Sequence, residues 1–201
     1  MSIFPDDKKV KPQEISLEEI QELLGDCKRC PLHESRNNIV FGKGNPHARI
    51  MIIGEAPGKN EDLQGEPFVG KAGKELDEYL HDINLSLEDV YIANVLKCRP
   101  PENRNPQVFE ITSCAPYLRE QIRSIWPDVI VTLGNFASKF VLKTDAGITA
   151  LRGKVYPVGH FKVVPMFHPA AAIYDRNKVR AIKEDFKMLS TLLEDERKLD
   201  E

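Results

Sequence analysis

The sequence predicts a three-layer α/β domain in which helices cover both faces of a central, mainly parallel sheet of four strands. Four short, almost continuous apolar runs are typical of strands buried on both faces: residues 49–54, 90–96, 128–133 and 162–167. Segments with the helical period of apolar residues lie between these runs. Strands that alternate with helices indicate βαβ units, and therefore a mainly parallel sheet.

The helices are predicted from caps and periodicity. Ser16 opens the sequence Ser-Leu-Glu-Glu, a capping box, and Gly25 ends the helix that follows. A second helix over residues 71–83 connects the first two strands. Pro116 predicts a kink in the third helix or the start of a new helix within it. The third and later helices are expected at residues 107–125, at 135–142, and from about 177 to the end.

Length and composition predict one domain. The chain has 201 residues, of which 41% are hydrophobic, so it can bury one ordinary core. Residues 1–15 are polar and contain Pro5 and Pro12, which predicts a flexible N-terminal arm. The domain itself is expected to span residues 16–201.

Charge and hydropathy exclude several classes of protein. No apolar run approaches the ~18 residues of a membrane span, and the first residues lack an apolar signal segment, so we expect a cytoplasmic protein. The formal net charge is -3, so no global positive field attracts nucleic acid. Any nucleic-acid binding would need a local basic surface.

The four cysteines predict a metal site. Cys27 and Cys30 form a Cys-x-x-Cys motif followed by proline, and Cys98 and Cys114 are distant in sequence. Disulfides are disfavoured without a secretion signal. Four thiolates suit a [4Fe–4S] cluster or tetrahedral zinc, and four unligated thiols remain a third interpretation. The uneven spacing favours the cluster, because a zinc ribbon repeats the Cys-x-x-Cys pair.

A glycine-rich loop follows the first strand. The stretch Gly65–Lys71 imitates a phosphate-binding loop, but Ala72 stands where magnesium binding requires Ser or Thr, which excludes an ATPase. Glu55, Glu61 and Asp62 lie in the same loop, at the carboxyl edge of the sheet where α/β proteins build their sites. The competing interpretation is a solvated acidic loop.

Two ring side chains have both a structural and a functional interpretation. Phe68 is either a plug of the core or a platform for stacking. His168 lies where the last strand ends and a helix begins, and Pro169 suits the first turn of that helix. The helix end would favour negative charge near His168, although a lone histidine at a strand end is usually structural.

Several motifs together resemble those of the family 4 uracil-DNA glycosylases, the iron–sulfur members of the uracil-DNA glycosylase superfamily. The resemblance extends from about Cys27 to Ile173 and is specific as a set. Its motifs are Cys27-x-x-Cys30-Pro, Gly54-Glu-Ala-Pro-Gly58-x-x-Glu61-Asp62, Gly65-Glu-Pro-Phe68-Val-Gly-Lys-Ala-Gly73, Asn94-Val-Leu-Lys-Cys98-Arg-Pro-Pro and His168-Pro169.

The resemblance implies excision of uracil that has been flipped out of DNA. It implies that Phe68 stacks on the uracil ring and that the Asn94 amide binds the edge of the base. His168 would donate to the developing uracil anion. Glu55 would orient the attacking water, and Glu61 would exclude the methyl group of thymine. Ala56 and Gly58 are assigned to substrate binding, and a [4Fe–4S] cluster is assigned to Cys27, Cys30, Cys98 and Cys114.

The expected partner is uracil-containing DNA, bound by a monomer. The residues predicted to contact the DNA backbone are Lys71, Lys74, Arg99, Arg104, Arg152 and Lys154. Ordinary solubilising charge is the alternative for each of them. The arm of residues 1–15 is a plausible tether to a sliding clamp.

Two other functions remain open at this level: a non-catalytic, metal-stapled nucleic-acid-binding module and an iron–sulfur electron carrier. The segment Arg152–Tyr156 lacks the histidine-containing insertion of a related subfamily that traps uracil covalently, which favours turnover.

Overall fold

The computed structural model describes residues 15–199, so all of the predicted N-terminal arm except Ile15 lies outside the described residues. Within this range the chain forms eight α-helices: α1 (Leu17–Leu24), α2 (Lys59–Gln64), α3 (Lys71–His81), α4 (Val108–Ile125), α5 (Gly134–Leu142), α6 (Ile148–Leu151), α7 (Ala170–Tyr174) and α8 (Lys178–Leu199). The same residues form six strands: β1 (Lys43–Gly44), β2 (Ile50–Gly54), β3 (Val90–Asn94), β4 (Val129–Leu133), β5 (Tyr156–Val158) and β6 (Phe161–Met166).

The strands form one mixed sheet in the order β1-β3-β2-β4-β6-β5. The four central strands are parallel, and the two edge strands pair antiparallel with their neighbours. The prediction of four strands was therefore too low. Strands β1 and β5 have only two and three residues and are not fully buried, so neither produces an apolar run in the sequence.

Helices pack against both faces of the sheet. Alternate residues of β2 enter two separate apolar clusters, Ile50 and Ile52 on one face and Met51 and Ile53 on the other. The first cluster includes side chains of α3 and α8, and the second includes side chains of α4 and α5. This double coverage explains why the four central strands read as continuous apolar runs.

The predicted helices are present, and Pro116 and the loop after β2 differ from expectation. The capping box of Ser16 and Glu19 opens α1 as expected. Pro116 lies inside one continuous helix, α4, so no new helix starts there. The loop after β2 contains the short helix α2, which the sequence analysis did not predict, because its residues show no apolar periodicity.

In the described part of the chain no helix is both long and apolar enough to cross a membrane.

Candidate active site

The carboxyl ends of the parallel strands meet at one edge of the sheet. Gly54, the last residue of β2, pairs with Asn94, the last residue of β3, and His168 follows β6 by two residues. A pocket of about 330 Å³ opens at this edge. It brings together eight residues selected from the sequence: Glu55, Ala56, Gly58, Glu61, Phe68, Asn94, Arg104 and His168.

The ring of Phe68 belongs both to the pocket wall and to the core. Its backbone is left-handed, with φ of 54°, which is unfavourable for a residue with a side chain. Neighbouring glycines make room for it. A Cβ at Gly73 would lie 1.8 Å from the Phe68 carbonyl oxygen, and one at Gly54 would lie 3.2 Å from the ring. The two interpretations of Phe68, core residue and platform, are therefore compatible.

Glu61 holds the segment that carries Phe68. Its Oε1 accepts hydrogen bonds from the backbone N–H groups of Val69, at 3.1 Å, and Gly70, at 2.9 Å. These two residues immediately precede α3, at a helix end where a carboxylate is favourable. The neighbouring Asp62 is buried and accepts from the backbone and side chain of Asn37, so it anchors α2 rather than facing the pocket.

The Asn94 side chain is 3% exposed, and it has no hydrogen-bond partner among the residues that the structure describes. A Cβ at Gly54 would lie 2.3 Å from its Oδ1, so a glycine is required beside it. Buried amides are ordinarily hydrogen-bonded within the protein. An amide left free beside a pocket is available to a ligand.

His168 stacks near Phe68, with ring centroids 5.7 Å apart and planes inclined by 23°. Its Nδ1 accepts a hydrogen bond from the backbone N–H of Ala170, at 3.1 Å. Burial lowers the pKa of His168 from 6.5 to about 4, although the nearby Glu61 carboxylate opposes this shift. The imidazole is therefore neutral at pH 7, and Nε2 carries its proton.

Acid should destabilise the fold through His168. The folded state favours the neutral ring, so this stabilisation is complete above pH 6.5 and is lost as pH falls from 6.5 toward 4. We expect the free energy of unfolding of the wild type to decrease by up to about 3 kcal/mol more than that of His168→Gln over this interval. Denaturant unfolding at a series of pH values measures the difference. Parallel pH curves for the two proteins would contradict the expectation.

Glu55 follows β2 directly. Its backbone carbonyl accepts the N–H of Leu96 at 3.0 Å, and the Gly54 carbonyl accepts that of Val95, so pairing of the two chain segments continues beyond the strands. The side chain is half-buried, and burial raises the pKa of its carboxyl above the ordinary value. The backbone of Glu55 is thus fixed at the end of β2, and its side chain lines the pocket wall together with Asn94.

The basic residues selected from the sequence fall in several places. Arg104 lines the pocket and donates to both oxygens of the buried Glu110, at 2.5 and 3.0 Å. Lys71 and Lys74 lie on α3 and line an adjoining groove. Outside the pocket lie Arg99, which donates to Asn103, and Lys154, which donates to Ala150.

Arg152 also lies outside the pocket lining. Its guanidinium donates to both oxygens of the buried Asp185, at 2.8 and 2.9 Å, and to the Ala181 carbonyl. This side chain therefore anchors α8, and the structure does not bring it together with the other selected residues.

The cysteines contact two apolar clusters and do not line the pocket. Cys98 and Cys114 are buried with Leu32 and Leu96, and Cys30 packs against this cluster. Burial raises the pKa of Cys114, although the charge of Lys97 and the backbone N–H of the same residue, which donates to the sulfur, oppose this shift. In the described part of the chain, however, no three or more His, Cys, Asp or Glu side chains are grouped so that they could hold a metal ion.

Among the residues of this region that sequence reasoning did not select are the polar residues Asn103 and Lys97. Asn103 lines the pocket, and Lys97 lies fully buried beneath Asn94. The signal for Lys97 was present, because a lysine directly follows the apolar run of β3 and precedes Cys98. Asn103 lies in a loop without periodicity, and nothing in the sequence distinguishes it.

Comparison with known proteins gives a consistent result. A model of the uracil DNA glycosylase superfamily matches residues 41–195. The type-4 uracil-DNA glycosylase of Sulfurisphaera tokodaii is 47% identical over 187 residues, which are 88% of this chain and 84% of the relative. That of Archaeoglobus fulgidus is 45% identical, over 88% of this chain and 93% of the relative.

A more distant similarity is found to the type-5 uracil-DNA glycosylase of Pyrobaculum aerophilum, which is 29% identical over 73% of this chain and 79% of the relative. The family match spans every strand of the sheet and every residue of the pocket.

Proposed function

The chain belongs to the uracil DNA glycosylase superfamily and, within it, to the type-4 uracil-DNA glycosylases, and on this basis we propose how its pocket excises uracil. The protein is a monofunctional DNA-repair glycosylase: it hydrolyses the N-glycosidic bond of uracil in DNA and leaves an abasic site. The observation that carries the assignment to this pocket is that the Asn94 amide, the Phe68 ring and His168 line one cavity at the carboxyl edge of the sheet.

Base recognition is assigned to Asn94 and Phe68. Uracil presents an acceptor at O4 and a donor at N3, and an amide supplies the complementary donor and acceptor. Cytosine presents the reverse pattern, so the same amide rejects it. The Phe68 ring would stack on the flipped base, held by the Glu61 carboxylate through the backbone of Val69 and Gly70.

Glu61 is therefore proposed as a positioning residue. The C5 side of the base, where thymine carries a methyl group, would be bounded by the segment that Glu61 fixes. Ala56 and Gly58 line the same pocket and leave space for a planar ligand.

Leaving-group stabilisation is assigned to His168. Cleavage of the glycosidic bond leaves an oxocarbenium-like sugar and a uracil anion, so a donor near the developing charge lowers the barrier. With Nδ1 occupied by the Ala170 amide, the proton on Nε2 is available for this bond. A neutral imidazole donates without first having to acquire a proton from solvent.

Water orientation is assigned to Glu55. Its carboxylate lies half-buried at the pocket wall, where it can accept a hydrogen bond from water that approaches the sugar. We expect Glu55→Ala to lower the single-turnover excision rate about 100-fold. Glu55→Gln keeps the shape and one acceptor oxygen but loses the charge, so its rate should lie between those of the alanine variant and the wild type.

Rapid-quench measurement of the abasic product gives these rates, and Glu88→Gln, on an exposed loop, is the matched control. A Glu55→Ala rate equal to that of the control would remove Glu55 from the mechanism.

The four cysteines are proposed to hold a [4Fe–4S] cluster. The chemistry of the donor set supports this proposal, because thiolates are the usual ligands of such clusters and Cys30, Cys98 and Cys114 contact one apolar cluster, although in the described residues they are not grouped as metal ligands. Two N–H groups already point at sulfur: the Arg36 guanidinium donates to Cys98, at 3.5 Å, and the Lys97 amide donates to Cys114, at 3.3 Å. When bound, the cluster would link the chain near Cys27 to α4 and hold the intervening loop.

Iron analysis and visible absorbance test the cluster. Brown protein that loses its colour with chelator is expected, and colourless protein with stoichiometric zinc would overturn the assignment in favour of zinc.

DNA contact is proposed for Arg104, which lines the pocket, and for Lys71 and Lys74, which line a groove along α3. Contacts by Arg99, Arg152 and Lys154 stay predictions. The same holds for the sliding-clamp tether, the monomeric state and the cytoplasmic location.

The decisive experiment is excision from a labelled oligonucleotide that contains one uracil, beside a thymine control, followed by alkaline cleavage. Strand scission that depends on uracil is expected. Uracil-dependent binding without scission would instead indicate a non-catalytic binding module.

A further inference from the structure

Lys97 is a fully buried lysine, three residues beyond the end of β3. Its Nζ donates to the backbone carbonyl of Asn94, at 3.0 Å, and to Oε1 of Gln121, at 2.6 Å. A buried ammonium is costly unless it is hydrogen-bonded, and an apolar side chain of similar length would fill the same space more cheaply. Core packing alone therefore does not explain a lysine here.

The acceptor on the far side of Lys97 is itself fixed. Gln121, on α4, is fully buried, and its Nε2 donates to the Phe41 carbonyl, at 3.0 Å, and to the Tyr91 hydroxyl, at 3.3 Å. Because both hydrogens of the amide are engaged, Oε1 is held toward Lys97. The Lys97 ammonium is therefore part of a hydrogen-bond network that connects α4 to the end of β3.

The other end of the network is Asn94. The Asn94 side chain has no partner in the described chain, so its direction depends on the backbone that carries it. The strand pair β2–β3 ends at this residue, and backbone hydrogen bonds from Val95 to Gly54 and from Leu96 to Glu55 continue the pairing just beyond it. The bond from Lys97 adds a restraint on the Asn94 carbonyl itself.

We propose that Lys97 is a positioning residue for uracil recognition, which holds the backbone of Asn94 so that the side-chain amide meets the edge of the base. The inference rests on the proposed role of Asn94 in the glycosylase reaction and deepens it. The backbone N–H of Lys97 also donates to Cys114, so the same residue connects the cysteine region to the base-binding amide.

The test is a double-mutant cycle that combines Lys97→Met with Asn94→Ala. Single-turnover excision on uracil-containing duplex is measured for the wild type, both single variants and the double variant. We expect Lys97→Met to lower the rate about 30-fold when Asn94 is present, and less than about twofold in the Asn94→Ala background. Lys139→Met, on the exposed face of α5, is the matched control and should match the wild type.

Inhibition by free uracil is a readout that a purely structural role would not change. The inhibition constant should rise in Lys97→Met and stay unchanged in Lys139→Met. Iron content and visible absorbance are measured on each variant. Equal losses of rate in the two backgrounds, or an unaltered inhibition constant, would overturn the proposal.

Lys97→Gln provides a second variant if Lys97→Met does not fold. It retains a donor within the same cavity and should show a smaller, still Asn94-dependent loss. If Lys97→Gln lowers the excision rate by the same factor in the wild-type and Asn94→Ala backgrounds, the proposal is overturned. If the wild type itself does not excise uracil, the proposed function fails, and that result is distinct from any difference among the variants.

Discussion

His168→Ala is expected to lower the single-turnover rate of uracil excision about 100- to 1,000-fold, while binding of uracil-containing DNA changes much less. The imidazole is neutral because burial lowers its pKa to about 4, and its Nδ1 accepts from the Ala170 amide. Its remaining N–H can therefore donate to the oxygen on which negative charge develops. Loss of a preorganised donor of this kind acts on the transition state and not on the ground state.

The measurement is quench-flow excision with enzyme in excess over a duplex that contains one uracil. His47→Ala is the matched control, because His47 is exposed in a loop that does not line the pocket. An equal loss of DNA affinity and of rate in His168→Ala would show that the residue contributes to binding and not to the chemical step.

Asn94→Asp should have an effect of similar or greater size, about 1,000-fold on the excision rate. An ionised carboxylate only accepts hydrogen bonds, so it cannot donate to O4 of uracil. It also places a negative charge beside the base on which the leaving-group charge develops. When repulsion replaces one of the hydrogen bonds that recognise the base, we expect a large loss of excision rate.

The rate on uracil is compared with that of Asn84→Asp, an exposed position in the loop after α3. Thermal unfolding is recorded for both proteins, because burying a carboxylate at residue 94 also costs stability. Wild-type excision by a stably folded Asn94→Asp protein would exclude Asn94 from base recognition.

Much of the architecture could be predicted from local patterns. The four central strands were visible because burial on both faces demands continuous apolar runs, and α1 was visible through its capping box. The edge strands β1 and β5 were not, since two or three partly exposed residues leave no such pattern. The helix α2 was missed for a related reason, because its buried residue is the charged Asp62.

The sequence predicted which residues line the pocket better than it predicted what each of them contacts. Asn94 ends a parallel strand, Glu55 and His168 follow one, and topology alone brings such positions to one edge. The structure adds a contact to the expectation for Glu61, because its carboxylate accepts from the amides of Val69 and Gly70, and its place beside C5 of the base stays a prediction. No sequence pattern predicts a hydrogen bond between a side-chain carboxylate and backbone N–H groups eight or nine residues later in the chain.

By itself, the sequence determined the α/β class, the order of the central strands and helices along the chain, and the set of residues that resembles a uracil-DNA glycosylase. These properties depend on local periodicity and on motif spacing, which the chain carries directly. Only the tertiary structure decided that His168 is neutral, that Arg152 is committed to Asp185, and that Lys97 lies beneath Asn94. Burial, charge state and hydrogen-bond partners depend on groups far apart in sequence, and they exist only once the chain has folded.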